Sequence, residues 1–465
     1  MTVRDSLQRR LSGGRTGLAA ALADHRRYET AIDRLHQRHI GDSSRYALTQ
    51  EGVNLSGMAL HRGSVARLLA RSVASGEYRI GPATLREIRV SGRRRVVFAY
   101  APFDLVVHAV VAGILSEVLE PTLSDRLYSY RSGLAWADAV ADFARYVRQH
   151  GRQRPDPRTR GLYVLRRDVD AYTDSIPLDA LSPLWPMLRQ LAEHVAGRGD
   201  RGIRSMDWDM LVAVIRPELL GDDGGLATRL RGVPTGQPIA TVAFNLYLRD
   251  IDEMLVADQE EFYGRYSDDL LFAHPDAAVA RSVSAWLDER LTERRLRFGD
   301  KKRRDLYLTG AGRASRDWPD ARGTTSVPFL GMRVDMAGRV AIGDTKVRAL
   351  LREAQRRARN VARGLEDAAL EVRGRAVVGS LTQLLDAEDH HLQGASVPLL
   401  ARVVTDRSQL RSLDLSLARI VATAVTGDPG PAAFRQVPYR VIRAEWGLPS
   451  LHRARDRSVA QRGAA

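Results

Sequence analysis

The chain contains no cysteine. Disulfides, cysteine-ligated zinc, iron–sulfur clusters and a thiol nucleophile are all excluded by that absence. Lysine is nearly missing too: of the 71 lysines and arginines, only Lys301, Lys302 and Lys346 are lysines. No apolar run is long enough to cross a bilayer. The longest, LVVHAVVAGIL from Leu105 to Leu115, falls well short of the roughly 20 residues a spanning helix needs, and it contains His108. It reads as a buried helix. The opening residues MTVRDSLQRR lack the apolar core of a secretory signal. The expected compartment is the cytoplasm, with no membrane partner.

Arginine is what the chain has in excess. The balance of 71 basic against 56 acidic residues leaves a net charge of +15. Such a surplus releases counterions from a phosphate backbone, so it implies a polyanionic partner. GC-rich coding also favours arginine over lysine, which makes the position of each charge more informative than the total. The 465 residues allow several structural units with ample core, and 44% apolar content excludes wholesale disorder.

Along the chain, residues 1 to about 80 read as helical. IRVSGRRRVVFAY, 88–100, reads as a hairpin around Ser-Gly. Helices are expected over 103–119 and 135–148, with a basic, proline-containing loop at 151–161. LYVLRRDVD, 162–170, reads as a strand leading into a turn. Residues 178–220 look helical, GDDGG at 221–225 is a turn, and 239–255 is an apolar helical run. FYGRYSDDLLFAH, 262–274, has two β-rich arms around a polar centre. Helix is expected over 276–296 and a single strand over 327–334. From Lys346 to Arg363 the periodicity is that of an amphipathic helix about 27 Å long. Val347, Leu350, Leu351, Ala354, Ala358 and Val361 fall on one face; Arg348, Arg352, Arg356, Arg359 and Arg363 fall on another. That stripe, opposed by Glu353, predicts contact with phosphates. The last residues read as a frayed basic tail.

The densest chemical signal is Tyr266-Ser267-Asp268-Asp269 between apolar arms. Adjacent acids at a turn repel each other, and a divalent cation removes that cost. A second pair, Asp168 and Asp170, ends the strand that begins at Leu162. Acids at a strand end facing acids at a hairpin turn are what two-metal phosphoryl transfer requires, and hard oxygen ligands suit magnesium. By strand alternation Asp170 would share a face with Asp168.

The order of these motifs resembles the reverse transcriptase family, in its prokaryotic, retron- and group-II-intron-like branch. The first palm block reads DVDAYTDSI from Asp168. The second reads GVPTGQPIATVAFNLYLRDID, from Gly232 to Asp252. The third is YSDD, the fourth LRFGDKK at 296–302, and the fifth FLGM at 329–332. Upstream, GRRRVVFAYAPFD and LYSYRSG are similar to the fingers blocks. The resemblance covers about residues 75–335.

That resemblance implies an α+β right-hand polymerase: an α/β palm with an antiparallel sheet, fingers on the N-terminal side and an all-helical C-terminal thumb. The implied divisions are an N-terminal helical region (1–80), fingers (81–161), palm (162–340, with a helical insertion at about 178–230), a helical thumb and C-terminal region (341–445) and a basic tail (446–465). Asp168, Asp268 and Asp269, with Val169, would bind two magnesium ions, with manganese as a substitute. The implied nucleotide-binding residues are Arg93, Arg95, Arg131, Tyr172, Thr173, Thr235, Gly236, Gln237 and Asn245. Gly331 joins the arginine stripe on the nucleic-acid side. Lys302 aligns with the family's lysine. Unlike arginine, a lysine can give up its proton, which suits a general acid for the leaving pyrophosphate. The implied partners are an RNA template, a DNA product and deoxynucleoside triphosphates, with a second copy of the chain or an accessory defence protein beside them.

The departures cluster at the nucleotide pocket. Thr173 stands where the family places a second aromatic as a gate against the ribose 2′-hydroxyl, unless Tyr172 is repositioned to serve. Thr235 replaces a glutamine and Ala240 a serine. Without cysteine the chain has no intron-type Cys/His endonuclease module. The retron-like Val425-Thr426-Gly427 lies too far downstream to be the thumb signature. What remains is similar to the defence-associated and abortive-infection reverse transcriptases, so a polymerase copying a dedicated noncoding RNA against phage is expected. Template-independent or protein-primed synthesis, and an RNA-binding protein without catalysis, are the alternatives.

Overall fold

In a computed structural model of the chain, the described residues are 17–40, 52–90, 93–156, 160–196, 203–255, 260–386 and 403–463. Expectations for the first 16 residues and for the intervening segments lie outside these. The N-terminal region comprises α1 (Leu18–Ala23), α2 (His25–Arg38), α3 (Leu55–Leu60) and α4 (Arg62–Ser75). Asp24 and Asn54 accept backbone N–H groups at the starts of α2 and α3, and Gly76 ends α4 in the left-handed conformation. These helices share a core with α5 (Pro102–Leu119). Expected from the sequence to be too short to cross a membrane, this stretch forms a helix, Pro102–Thr122, that is long and apolar enough by length and composition, but most of its apolar stretch is buried inside the protein.

Strands β1 (Thr84–Val90) and β2 (Arg93–Ala99) pair as an antiparallel hairpin about positions 91 and 92. Helix α6 (Trp136–Gln153) overruns the loop expected from 151, because its amphipathic period continues through His150. After β3 (Leu162–Asp168) come α7 (Leu184–Ala196) and α8 (Ser205–Ile215). The expected helix to 220 ends early. Its last residues form β4 (Glu218–Leu220), which pairs with β5 (Leu226–Thr228). The Asp223 carboxylate accepts the Gly225 amide at 2.9 Å, which shapes that turn. The apolar run 239–255 is two helices, α9 (Pro238–Tyr247) and α10 (Arg249–Met254), broken at Leu248.

The central sheet adds β6 (Phe262–Tyr266), β7 (Asp269–His274), β8 (Arg304–Leu308) and β9 (Arg322–Thr324) to β3, in the order β6-β7-β3-β8-β9. All pairs are antiparallel except β8 with β9. Helix α11 (Ala277–Glu293) packs on β3 and β7. The single strand expected at 327–334 is a hairpin: Leu330 (φ +49°) and Gly331 (φ +78°) turn β10 (Ser326–Phe329) back into β11 (Met332–Asp335), which β12 (Val340–Ile342) joins.

The C-terminal region is helical: α12 (Asp344–Arg363), α13 (Leu370–Asp386), α14 (Arg407–Thr426) and α15 (Leu451–Gly463). The tail expected to fray is therefore ordered as α15. Leu451 is buried, its amide donates to the Asp414 carboxylate at 2.9 Å, and Arg455 donates to the Val404 carbonyl at 2.9 Å. Val425-Thr426-Gly427 is the glycine-terminated end of α14.

Two apolar cores meet at the central sheet. Tyr163, Leu165, Leu270 and Phe272 face the core shared with the N-terminal helices. Leu162, Val164, Leu271 and Ala273 face the core shared with α6 and the C-terminal helices. Burial on both faces explains why β3 opens with the unbroken apolar run LYVL rather than an alternating pattern. The class is α+β.

Candidate active site

Asp168 ends β3 directly opposite Asp269, the first residue of β7. Tyr266 and Asp269 pair across the β6–β7 turn, so Ser267 and Asp268 form its apex. Ser267 has φ +58°, unusual for a residue with a side chain. The Ser267 amide donates to Ser129 Oγ at 2.8 Å, and its carbonyl accepts from Arg265 at 3.1 Å. The Val169 amide donates to the Asp268 carbonyl at 3.0 Å, which draws the strand end and the turn together.

Two side-chain cations neutralise two of the three acids. Lys302 Nζ lies 2.5 and 2.7 Å from the Asp168 carboxylate oxygens. Arg166 approaches Asp269 with NH2 at 3.0 Å and Nε at 3.3 Å. Asp268 has no ion-pair partner among the described residues. Burial, and then the neighbouring Asp168 and Asp269, push its carboxyl up from 3.8 to about 6. Burial also raises the Asp269 carboxyl, against the pull of Arg166.

Among the described residues no three acids or histidines converge on one cation position as the side chains stand. The donor set nevertheless suits a hard divalent ion: three carboxylates from two adjacent strand ends, one of them uncompensated, with the Val169 main chain alongside. The charges that Lys302 and Arg166 bring are of the kind a bound metal would supply.

Asp170 does not join this group. The strand stops at Asp168, the chain reverses at Ala171 (φ +44°), and Asp170 pairs with Arg297 at 3.0 Å. Alternation cannot carry a residue past the end of a strand onto its face.

Several of the residues assigned to the nucleotide have protein partners. Tyr172 is buried in the core and its hydroxyl donates to the Phe244 carbonyl at 2.7 Å, so it is not repositioned as a gate. The Thr173 carbonyl accepts from Val233 at 3.0 Å. Thr235 Oγ1 donates to the Val96 carbonyl at 3.0 Å, and Gln237 Nε2 donates to the Phe98 carbonyl at 3.1 Å. Between them Gly236 (φ +93°) passes close to Val97. This turn therefore straps β2 to the start of α9. Asn245 is buried, with Nδ2 on the Ser129 carbonyl at 3.0 Å. Arg131 is spent on Glu120 at 2.9 Å and the Ser124 carbonyl at 2.6 Å. The side chains of Arg93, Arg95 and Lys301 lie outside the described residues.

Of the residues expected to meet nucleic acid, Gly331 occupies the β10–β11 turn, where a Cβ would land 2.2 Å from Lys346 Cε. Lys346 itself donates to the Leu330 carbonyl and lies over the Trp136 ring, and burial lowers its ammonium from 10.5 to about 8. Arg348, Arg352, Arg356, Arg359 and Arg363 are all exposed along α12, while Leu350, Ala354, Ala358 and Ala362 are buried. Arg356 is partly neutralised, since it and Arg357 clasp Glu353 and hold that carboxyl down at about 2. Arg359 and Arg363 edge an open groove of about 810 Å³ between α12 and α14, with Arg373 and Arg419.

Three residues that touch the acids or their turn, Arg166, Arg265 and Ser129, escaped the sequence reading, as did Asp252, which holds Arg265. Arg166 was detectable, because i and i−2 share a strand face and it precedes Asp168 by two. Arg265 lies in the hairpin itself, but Asp252 and Ser129, which complete its network, come from separate segments that only the fold unites.

No family model matches the chain, and no curated protein does. Among solved structures, a Candida albicans telomerase in complex with a fragment of telomeric RNA is similar over 82% of this chain and 66% of its own, at 13% identity and a TM-score of 0.44. An apo telomerase from Candida tropicalis is similar over 91% and 81%, at 10% identity and a TM-score of 0.44. A C-terminally truncated form of the latter gives 57% and 55%, at 14% identity and 0.39. At such values the chemistry must be argued from the residues of the site.

Proposed function

We propose that the chain is a right-hand nucleotidyltransferase that copies RNA into DNA. The observation that carries this reading is the register of Asp168 against Asp269, with Asp268 at the apex of the adjoining turn. Three carboxylates brought together by two strand ends, in the family order of five sequence blocks, suit nucleotidyl transfer better than RNA binding alone, which needs no buried acids.

Asp168, Asp268, Asp269 and the Val169 carbonyl would hold two magnesium ions, or manganese in their place. When bound, these lower the pKa of an attacking primer hydroxyl and neutralise the leaving pyrophosphate. Lys302 reaches Asp168 from the solvent side, with 56% of its side chain exposed. It is a titratable cation within reach of a departing phosphate, suited to donate the proton. Arg166 fixes the Asp269 carboxylate in the plane of its guanidinium, and the α12 stripe offers charge to a template backbone.

The finer reading is a cytoplasmic enzyme that uses deoxynucleoside triphosphates on a dedicated noncoding RNA, in defence against phage. It rests on the subfamily resemblance. Primer extension on a heteropolymeric RNA, with magnesium or manganese, tests the activity. Wild type should extend the primer, Asp268→Ala should not, and both should retain RNA on a filter. Extension by the variant equal to wild type would defeat the assignment. Sequencing of copurifying nucleic acid before and after nuclease treatment tests the template.

A further inference from the structure

We infer that Arg265, clamped by Asp252, and Ser129 are positioning residues that set the backbone of the Ser267 turn and thereby aim Asp268 and Asp269. The inference rests on the polymerase reading for its consequence, but on the geometry of the turn for its argument.

Arg265 precedes the turn by two residues and is completely buried, as is Asp252. Its Nε donates to Asp252 Oδ1 at 2.7 Å and its NH2 to Oδ2 at 2.5 Å. Tyr263 adds a third donor to Oδ1 at 2.7 Å. A guanidinium held on two edges has its plane fixed, and the remaining nitrogen, NH1, then falls on the Ser267 carbonyl. The arginine backbone is pinned as well: its amide donates to the Arg126 carbonyl and its carbonyl accepts from Tyr128, both at 2.9 Å. On the other side of the same residue, the Ser267 amide donates to Ser129 Oγ, and the Ser129 carbonyl is held by Asn245. Both main-chain polar groups of the left-handed Ser267 are thus fixed by side chains, Arg265 from the hairpin's own first arm and Ser129 from outside it.

A buried ion pair is often matched or bettered in stability by apolar residues of the same volume. What an apolar replacement cannot supply is a donor aimed at the Ser267 carbonyl. Ser267 is followed at once by Asp268 and Asp269, so a change in its peptide orientation redirects both carboxylates. Outer-shell groups of this kind typically alter metal affinity or activity by about 10- to 100-fold when removed.

The test uses the full chain and two sets of variants. In R265M/D252L/Y263F the polar network becomes apolar at similar volume. Ser129→Ala removes the acceptor for the Ser267 amide, and Ser129→Thr restores an oxygen there. Manganese affinity is read by EPR titration, alongside primer extension. The triple variant should keep its circular dichroism spectrum yet bind manganese about 10- to 100-fold more weakly. Its kcat should fall in proportion, with KM for the nucleotide changed less than about threefold. Ser129→Ala should weaken manganese binding in the same direction and Ser129→Thr should recover it. A folded triple variant that binds manganese like wild type overturns the inference. If the triple variant does not fold, unchanged manganese affinity in Ser129→Ala overturns it instead. Wild type that binds manganese but extends no primer defeats the polymerase reading and leaves the manganese comparison to decide this one.

Discussion

Replacing Asp268 by asparagine should make the metal-free protein more stable while destroying its chemistry. Partial burial, and then the two neighbouring acids, push this carboxyl up from 3.8 to about 6 in the fold. A group whose folded pKa is raised binds more protons folded than unfolded, so stability falls as pH rises between the two values. The cost is nearly absent below about pH 3.5, about half present at pH 5, and complete above about pH 7. A shift of this size corresponds to roughly 3 kcal/mol. Asparagine keeps the shape and the acceptor oxygen but carries no charge, so it recovers that cost. For 465 residues, an unfolding entropy of about 2.1 cal/mol/K per residue makes this a gain of roughly 3 °C in the midpoint. Scanning fluorimetry with a chelator should show the gain at pH 7.5, and its fall to roughly a third by pH 4.5. Added magnesium should then raise wild type and leave the variant behind, since only a ligand that binds the folded state stabilises it. An Asp268→Asn protein that is less stable at pH 7.5, or a gain independent of pH, would refute the reasoning that this acid is held at a cost.

Gly331→Ala should destabilise the protein by about 1–3 kcal/mol, because the new methyl needs a left-handed backbone and meets Lys346; denaturant titration measures it. Lys302→Arg keeps a cation beside Asp168 but removes a transferable proton, so kcat should fall by roughly 10²-fold or more while RNA affinity holds. Rapid-quench extension distinguishes the two quantities. Each of Arg348→Gln, Arg352→Gln and Arg363→Gln should reduce the slope of log affinity for single-stranded RNA against log salt by about 0.7 per lost phosphate contact. Arg356→Gln should have a smaller effect, since Glu353 already holds that guanidinium.

Local patterns in the sequence anticipated the elements and the three acids, and failed where side chains were recruited over long range. The Asp168 strand and the YSDD hairpin were legible because apolar arms bound a short polar centre. The FLGM segment misled, since nothing in its alternation reveals that Leu330 and Gly331 both take positive φ. Thr235, Gln237 and Arg131 were matched to nucleotide contacts by position in a block. Their partners, Val96, Phe98 and Glu120, are protein groups brought close only by the hairpin and the helix end. The last helix was masked by its arginines: the anchors that order it, Asp414 and Val404, lie about 40 to 50 residues upstream.

The strand bearing Asp168 is a party wall. It separates two apolar interiors and is plastered on both sides, by Tyr163 and Leu165 on one and by Leu162 and Val164 on the other. A wall with rooms on both sides cannot be lifted out as a module. Cutting the chain after β12 would leave α6 and strands β10–β12 on one side of it but remove the helices that complete that core, among them the buried Leu350, Ala354, Leu381 and Leu417. Damage far out in the C-terminal helices should therefore be felt at the acids as loss of support, and a minimal palm excised from this chain would need a new apolar cover before it could keep its carboxylates in register.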